Sequence, residues 1–212
     1  MGDMENEVPL PGGRITPDVV RVGRTIRRPA TASSAFVAQL LGELQRQGFT
    51  GAPRHLGFNE ADRQILSHLP GRAPARFQRW TDPQVSAAGA LLRAFHEATR
   101  GSVLADRHPV VCHHDPGPDN TVFSDDGVPV AFIDFDPAAP GDPLEGLGHM
   151  LGKRNVCPSA LCLRGRQARH LSCAPAAWWT FSPAVRRGYG SRQDRLRGRS
   201  ARTPDHEARA GS

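Results

Sequence analysis

His113, Asp115 and Asn120 stand in the chain as His-x-Asp-x-x-x-x-Asn, and Asp134 and Asp136 follow in the run Ile133-Asp134-Phe135-Asp136. These residue types suit phosphoryl transfer. That reaction needs one carboxylate to accept a hydrogen bond from the attacking hydroxyl and hold it in line. It needs a second carboxylate and a neutral oxygen to hold magnesium on nucleotide phosphates. Asp115 fits the first role; Asn120 and Asp134 fit the second. The two acidic centres lie nineteen residues apart, enough for a loop, a hairpin and its turn, so both can return to one end of a sheet. On a strand, Asp134 and Asp136 would share a face because side chains alternate. Two carboxylates beside Ile133 and Phe135 would be costly without a cation or donors, which favours a metal site.

Other readings compete. His113, His114 and Asp115 alone would read as a polar turn between strands. A metal-dependent phosphoesterase built from His113, His114, Asp115 and Asp134 would need more ligands than this segment offers. His96 and His149 read by default as ordinary structural histidines. Asn120, Asp134 and Asp136, in that order after Asp115, tip the balance to the catalytic reading.

Elements that could position these groups are legible on either side. Residues 19–28 read as two short strands turning at Gly23-Arg24. A helix is expected from Ser34 to Gln47, with Phe36, Val37, Leu40, Leu41 and Leu44 on one face; Ser33 or Ser34 would cap it and Gly48 would end it. His55–Phe58 and Arg63–Leu69 form a predicted hairpin. Residues 71–80 read as a linker. Thr81 or Asp82 would cap a second helix, with Pro83 in its first turn, running to about Thr99 with Val85, Ala88, Leu91, Leu92, Phe95 and Ala98 along one stripe. Val110–Cys112, Thr121–Phe123 and Val130–Phe135 are strand-like runs, the last two joined by a turn at Asp125-Asp126-Gly127.

His113-x-Asp115-x4-Asn120, followed by Ile133-Asp134-Phe135-Asp136 and Gly141-Asp142-Pro143, resembles the aminoglycoside phosphotransferase family, which includes choline-kinase-like and homoserine-kinase-like enzymes. The resemblance extends more loosely from Val19 to Met150. It implies an α+β, protein-kinase-like two-lobe fold, with a nucleotide-binding lobe over 14–70 and a catalytic lobe over 72–150. It implies Asp115 as the catalytic carboxylate, His113 as a brace for its loop, and Asn120 and Asp134 as magnesium ligands. Asp136 is a further metal candidate; it and Asp142 could equally be local structural carboxylates. The donor would be ATP or GTP and the acceptor a small-molecule hydroxyl, such as that of an aminoglycoside. The chain departs from the family pattern at several points. Its one lysine is Lys153, so Arg27 or Arg28 would have to meet the nucleotide phosphates. Glu43 is the only acid on the first helix and lies late in it. Gly12-Gly13 is the nearest approach to a glycine-rich phosphate loop. Gly146 stands where the family usually has an acid. These departures also suit a pseudokinase of the same fold.

Composition divides the chain. Among 212 residues the formal charge is +6 and the pI about 10.0, which on its face suggests a polyanion partner. Yet residues 151–212 hold 13 of the 27 Lys and Arg and 3 of the 21 Asp and Glu, leaving residues 1–150 mildly acidic. A tail this basic, with Trp178, Trp179 and Tyr189, could bind nucleic acid. Its charges are scattered and no nucleic-acid module is visible, so a poorly ordered, solvated tail is the stronger reading. The family's C-terminal helical subdomain is expected to be truncated or replaced there, and a reading-frame change would have that appearance. The four cysteines match no zinc signature. With an acidic N-terminus and no apolar run of membrane-spanning length, a cytoplasmic protein that makes no use of a membrane is expected.

Overall fold

The structure, a computed structural model, describes residues 7–10, 18–74 and 79–152. They form a mixed α/β fold whose strand pairings are all antiparallel. A five-stranded sheet has the order β1-β2-β3-β5-β4. Its strands are β1 (Glu7–Pro9), β2 (Val20–Val22), β3 (Thr25–Pro29), β4 (His55–Phe58) and β5 (Arg63–Ser67). β2 and β3 meet at a turn in which Gly23 takes φ +57°, the left-handed region open to glycine. The expected hairpin between β4 and β5 is present, with Asn59 Oδ1 accepting from the backbone N–H groups of Ala61 and Arg63.

Helix α1 (Ser34–Arg46) buries Val37, Leu40, Leu41 and Leu44. Its start is not capped by the Ser33 side chain; Ser34 Oγ instead accepts from the Thr31 N–H at 2.8 Å. Gly48, at φ +72°, ends the helix as the sequence suggests, and the Phe49 N–H reaches back to the Leu44 carbonyl.

Helix α2 (Asp82–Thr99) opens with a capping box: the Thr81 hydroxyl accepts from the Gln84 N–H, and Gln84 Oε1 accepts from the Thr81 N–H. The buried stripe is Val85, Ala88, Gly89, Leu92, Phe95, His96 and Thr99. It is rotated from the expected one, with Leu91 and Ala98 only half-buried. The rotation follows from the polar groups at the helix end. His96 is buried, and Thr99 Oγ1 accepts from the Val111 N–H at 3.1 Å, fastening the helix to the strand that leads into His113 and Asp115.

That strand, β6 (Val110–Cys112), pairs with β9 (Ala139–Gly141), and β7 (Thr121–Phe123) pairs with β8 (Pro129–Phe132). Helix α3 (Pro143–Gly152) follows. The sequence did not announce β1, β9 or α3: β1 is three residues long, β9 contains Pro140 and α3 contains three glycines, all weak signals for their type. Residues 71–80 do more than link. Arg72 and Phe123 exchange two backbone hydrogen bonds of 2.9 Å, and Trp80 is buried edge-on to Phe123.

Candidate active site

The chain leaves β6 directly into His113. Its ring is wholly buried, 4.6 Å from Phe135 and 5.5 Å from Phe132 between ring centroids. Both ring nitrogens are used. Nε2 faces the Ile133 carbonyl at 3.0 Å and Nδ1 accepts from the Asp115 N–H at 3.3 Å, a pattern that fits the neutral tautomer with its proton on Nε2. Burial pushes the His113 pKa down to about 4, against the pull of the Ile133 carbonyl and Asp115. A neutral, buried imidazole that links two loops positions them; it has no access to substrate.

Asp115 lies in a tightly knit loop. Asn120 Nδ2 donates to Asp115 Oδ2 at 2.8 Å and to its carbonyl at 3.0 Å. The Gly117 N–H donates to that same carbonyl, and Thr121 Oγ1 donates to the Gly117 carbonyl. With Nδ2 committed to Asp115, Oδ1 is the coordinating atom Asn120 can offer. The Ile133 N–H donates to the Asn120 carbonyl at 2.9 Å, so the backbone brings Asn120 beside the residue that precedes Asp134.

The expectation that Asp134 and Asp136 share a strand face is not met. β8 stops at Phe132, and Asp134 takes φ +61°, where side-chain alternation no longer applies. An arginine relates the two acids instead. Arg28, buried on β3, donates through both terminal nitrogens to Asp136. One of these nitrogens lies 3.7 Å from Asp134, and Arg28 Nε donates to Gln64 Oε1 at 2.9 Å. Arg27, next along the strand, is on the opposite face by alternation. Of the two arginines considered for phosphate, Arg28 is therefore the one at the acids. Glu43 is not drawn to it: it pairs with Arg46 and Gln47 on its own helix.

Burial raises the pKa of Asp134. Asp136, Asp115 and Asp119 push in the same direction, while Arg28 opposes them. A group of mutually repelling carboxylates with a carboxamide oxygen is a hard, all-oxygen donor set of the kind magnesium takes. Asn120 and Asp134 would hold the ion, and Asp134 keeps 41% of its side chain exposed for it. Asp136 is largely consumed by Arg28. Asp142 serves α3, its Oδ1 accepting from the Leu144 N–H at 2.8 Å. At Gly146 a Cβ would sit 2.7 Å from His96 Nε2, so the His96 ring occupies the space a side chain would need.

Sequence reasoning missed one cluster. The ligand atoms of His114, Glu145 and His149 all lie within 4.8 Å of one another. Glu145 and His149 are four residues apart on α3, a spacing that puts them on one helix face and that could have been read from the sequence. The basic tail from Lys153 onward, with Trp178, Trp179 and Tyr189, lies outside the described residues, as does Gly12-Gly13. Among the described residues no helix is long and apolar enough to cross a membrane.

The family model described as "Phosphotransferase enzyme family" matches residues 22–189. The match runs past Met150, so the charge break at 151 does not mark where the family likeness ends. A trifolitoxin immunity protein from Rhizobium leguminosarum bv. trifolii is 32% identical over 153 residues. The aligned part is 65% of this chain and 58% of that relative, so the chain spans little more than half of its length. Among solved structures, a choline/ethanolamine kinase family protein from Mesorhizobium loti gives a TM-score of 0.51 at 19% identity, over 71% of this chain and 64% of that one. An aminoglycoside phosphotransferase from Streptomyces rimosus gives 0.50 at 15% identity, over 95% and 88%. Both are likenesses of fold.

Proposed function

Since the chain belongs to the phosphotransferase enzyme family, we propose that it moves the γ-phosphoryl group of ATP or GTP to a hydroxyl of a small molecule, with magnesium. The observation that carries this reading is the Asn120 carboxamide bound to Asp115 on one side and joined through its carbonyl to the backbone next to Asp134. It supports the reading because these bonds hold Asp115, Asn120 and the backbone beside Asp134 together, and mutual positioning is most of what phosphoryl transfer asks of a protein. Asp115 accepts the hydrogen bond of the acceptor hydroxyl and aims its oxygen at the γ-phosphorus. His113 keeps the Asp115 loop in register with the Asp134 loop. Asn120 and Asp134 would hold the magnesium ion, which would supply charge neutralisation for the transferring phosphoryl group. Arg28 supplies cationic charge on the sheet side of the site, in the place where a lysine would otherwise meet the phosphates.

Arg28 also favours a second reading. In the present arrangement it is paired with Asp136 and close to Asp134, so its charge is already committed to the acids. A pseudokinase that keeps the fold without turnover would be built this way, and the likeness to a toxin immunity protein suits a role in protection rather than metabolism. Titration of the protein with ATP and GTP, followed by thermal shift with and without magnesium, tests both. A magnesium-dependent stabilisation with ADP release on adding an acceptor is expected of the kinase. Stabilisation without turnover across an acceptor panel identifies the pseudokinase. No shift with either nucleotide overturns the kinase reading and leaves the pseudokinase, in which Arg28 stays committed to the acids.

A further inference from the structure

His114, Glu145 and His149 form a second cluster, apart from the magnesium ligands Asn120 and Asp134. His114 comes from the loop just before Asp115, and Glu145 and His149 come from one face of α3. His114 Nδ1 lies 3.9 Å from Glu145 Oε1, and the two imidazoles stand edge to face with centroids 5.0 Å apart. We propose that these three side chains bind a zinc-class divalent cation that ties the loop preceding Asp115 to α3.

The donor set is the first argument. Two imidazoles and one carboxylate with an open fourth position are a common zinc arrangement, with ligand bonds of about 2.0–2.2 Å. Ligand atoms within 4.8 Å of one another need to draw in by roughly 1 Å to meet those bond lengths. Glu145 and His149 are exposed and His114 is half-buried, so side-chain rotation alone can supply that.

The second argument is the backbone at His114. It sits at φ +59°, outside the extended conformation of β6, so its side chain leaves the strand's alternation and its Nδ1 faces Glu145.

The third argument concerns Glu145. A Cβ on Gly141 would sit 2.9 Å from Glu145 Oε2, so the missing side chain at Gly141 makes room for the carboxylate. Oε2 packs there and Oε1 faces His114. The nearby Cys112 thiol is not part of the set: burial pushes its pKa up to about 12, and its Sγ donates to the Asp142 carbonyl.

Zn2+ titration of the full chain, followed by calorimetry, is the test, with His149→Ala and Glu145→Gln as variants. Both positions are exposed, so the fold should be kept, and circular dichroism checks this. The unsubstituted protein should take up one equivalent of Zn2+ that both variants bind at least tenfold more weakly. The difference between the Co2+ spectra of the unsubstituted protein and His149→Ala should contain ligand-field bands without thiolate charge transfer. Absence of uptake, unchanged uptake in folded variants, or a difference spectrum that carries thiolate charge transfer would each overturn the proposal.

Discussion

Arg28 and Asp136 are 108 residues apart in the chain, and the arginine's two terminal nitrogens both donate to that one carboxylate. The pair joins β3 to the loop after β8, and Gln64 on β5 holds the third guanidinium nitrogen. Removing one partner of such a buried pair leaves the other without compensation, at a cost of about 3–5 kcal/mol. Arg28→Met should therefore destabilise the protein by that order in denaturant unfolding, because Asp136 and Gln64 are both left behind. Asp136→Leu alone should cost less, since Arg28 can turn to Asp134. The double variant should recover part of the loss. Simple additivity would mean that the pair does not couple the two segments.

Asp115 and Asp134 should separate turnover from nucleotide binding. Asp115→Ala is expected to lower turnover by roughly 10²–10⁴-fold, the scale of a lost acid–base or orienting group. Its stability cost should be only about 1 kcal/mol, because Asn120 keeps its bond to the residue 115 carbonyl. Asp134→Ala should instead abolish the magnesium-dependent part of the nucleotide thermal shift. Full turnover in Asp115→Ala would remove that residue from the mechanism.

Acid should loosen the fold through two histidines. His96 and His113 are both buried with pKa values pushed down to about 4, burial being the main cause in each, against 6.5 in an unfolded chain. Between these values the unfolded state binds more protons, so stability is complete above pH 6.5 and falls as pH drops toward 4. At 1.36 kcal/mol per pKa unit, each contributes about 3 kcal/mol to that fall. Asp134 acts in the opposite sense, since its raised pKa favours the folded state at the acid end. Urea unfolding across pH 4–7 should show the slope, and His113→Gln should flatten it. An unchanged slope would mean that His113 does not titrate with unfolding.

What was legible in the sequence was whatever carried a local signal. Thr81 and Pro83 mark the start of α2, Gly48 the end of α1, and the apolar spacing of Val37, Leu40, Leu41 and Leu44 the buried face between. The order of Asp115, Asn120 and Asp134 stood out for a different reason: it is the set of residue types and spacings that the proposed phosphoryl transfer would ask for. The Arg28–Asp136 contact was not legible, because nothing local selects Arg28 over Arg27 except strand register. The turn at Asp134 was hidden because Ile133 and Phe135 extend the apolar alternation past the true end of β8. His114, Glu145 and His149 were hidden because one of the three comes from another element. The charge break at 151 was easily seen but is no boundary of the family match, since net charge is not what a fold conserves.

Gly71 offers a sharp test of how the chain passes from the five-stranded sheet to β7. It takes φ +124°, and a Cβ there would run into the Phe123 carbonyl oxygen and lie 2.8 Å from Val122 Cγ1. The obstruction falls at the Arg72–Phe123 bridge, where two backbone hydrogen bonds of 2.9 Å depend on close approach. Neither neighbour can yield cheaply, since one is backbone and the other a β-branched side chain on β7. Gly71→Ala should thus cost well over about 1 kcal/mol and lower the Tm by several degrees, at roughly 2–4 °C per kcal/mol. Gly42, inside α1, has nothing within 4 Å of a built Cβ, so Gly42→Ala should stabilise by about 0.5–1 kcal/mol through helix propensity. The two substitutions add the same methyl group and should shift the melting curve in opposite directions. A Gly71→Ala protein that melts with or above the unsubstituted chain would mean that the bridge forms in some other geometry.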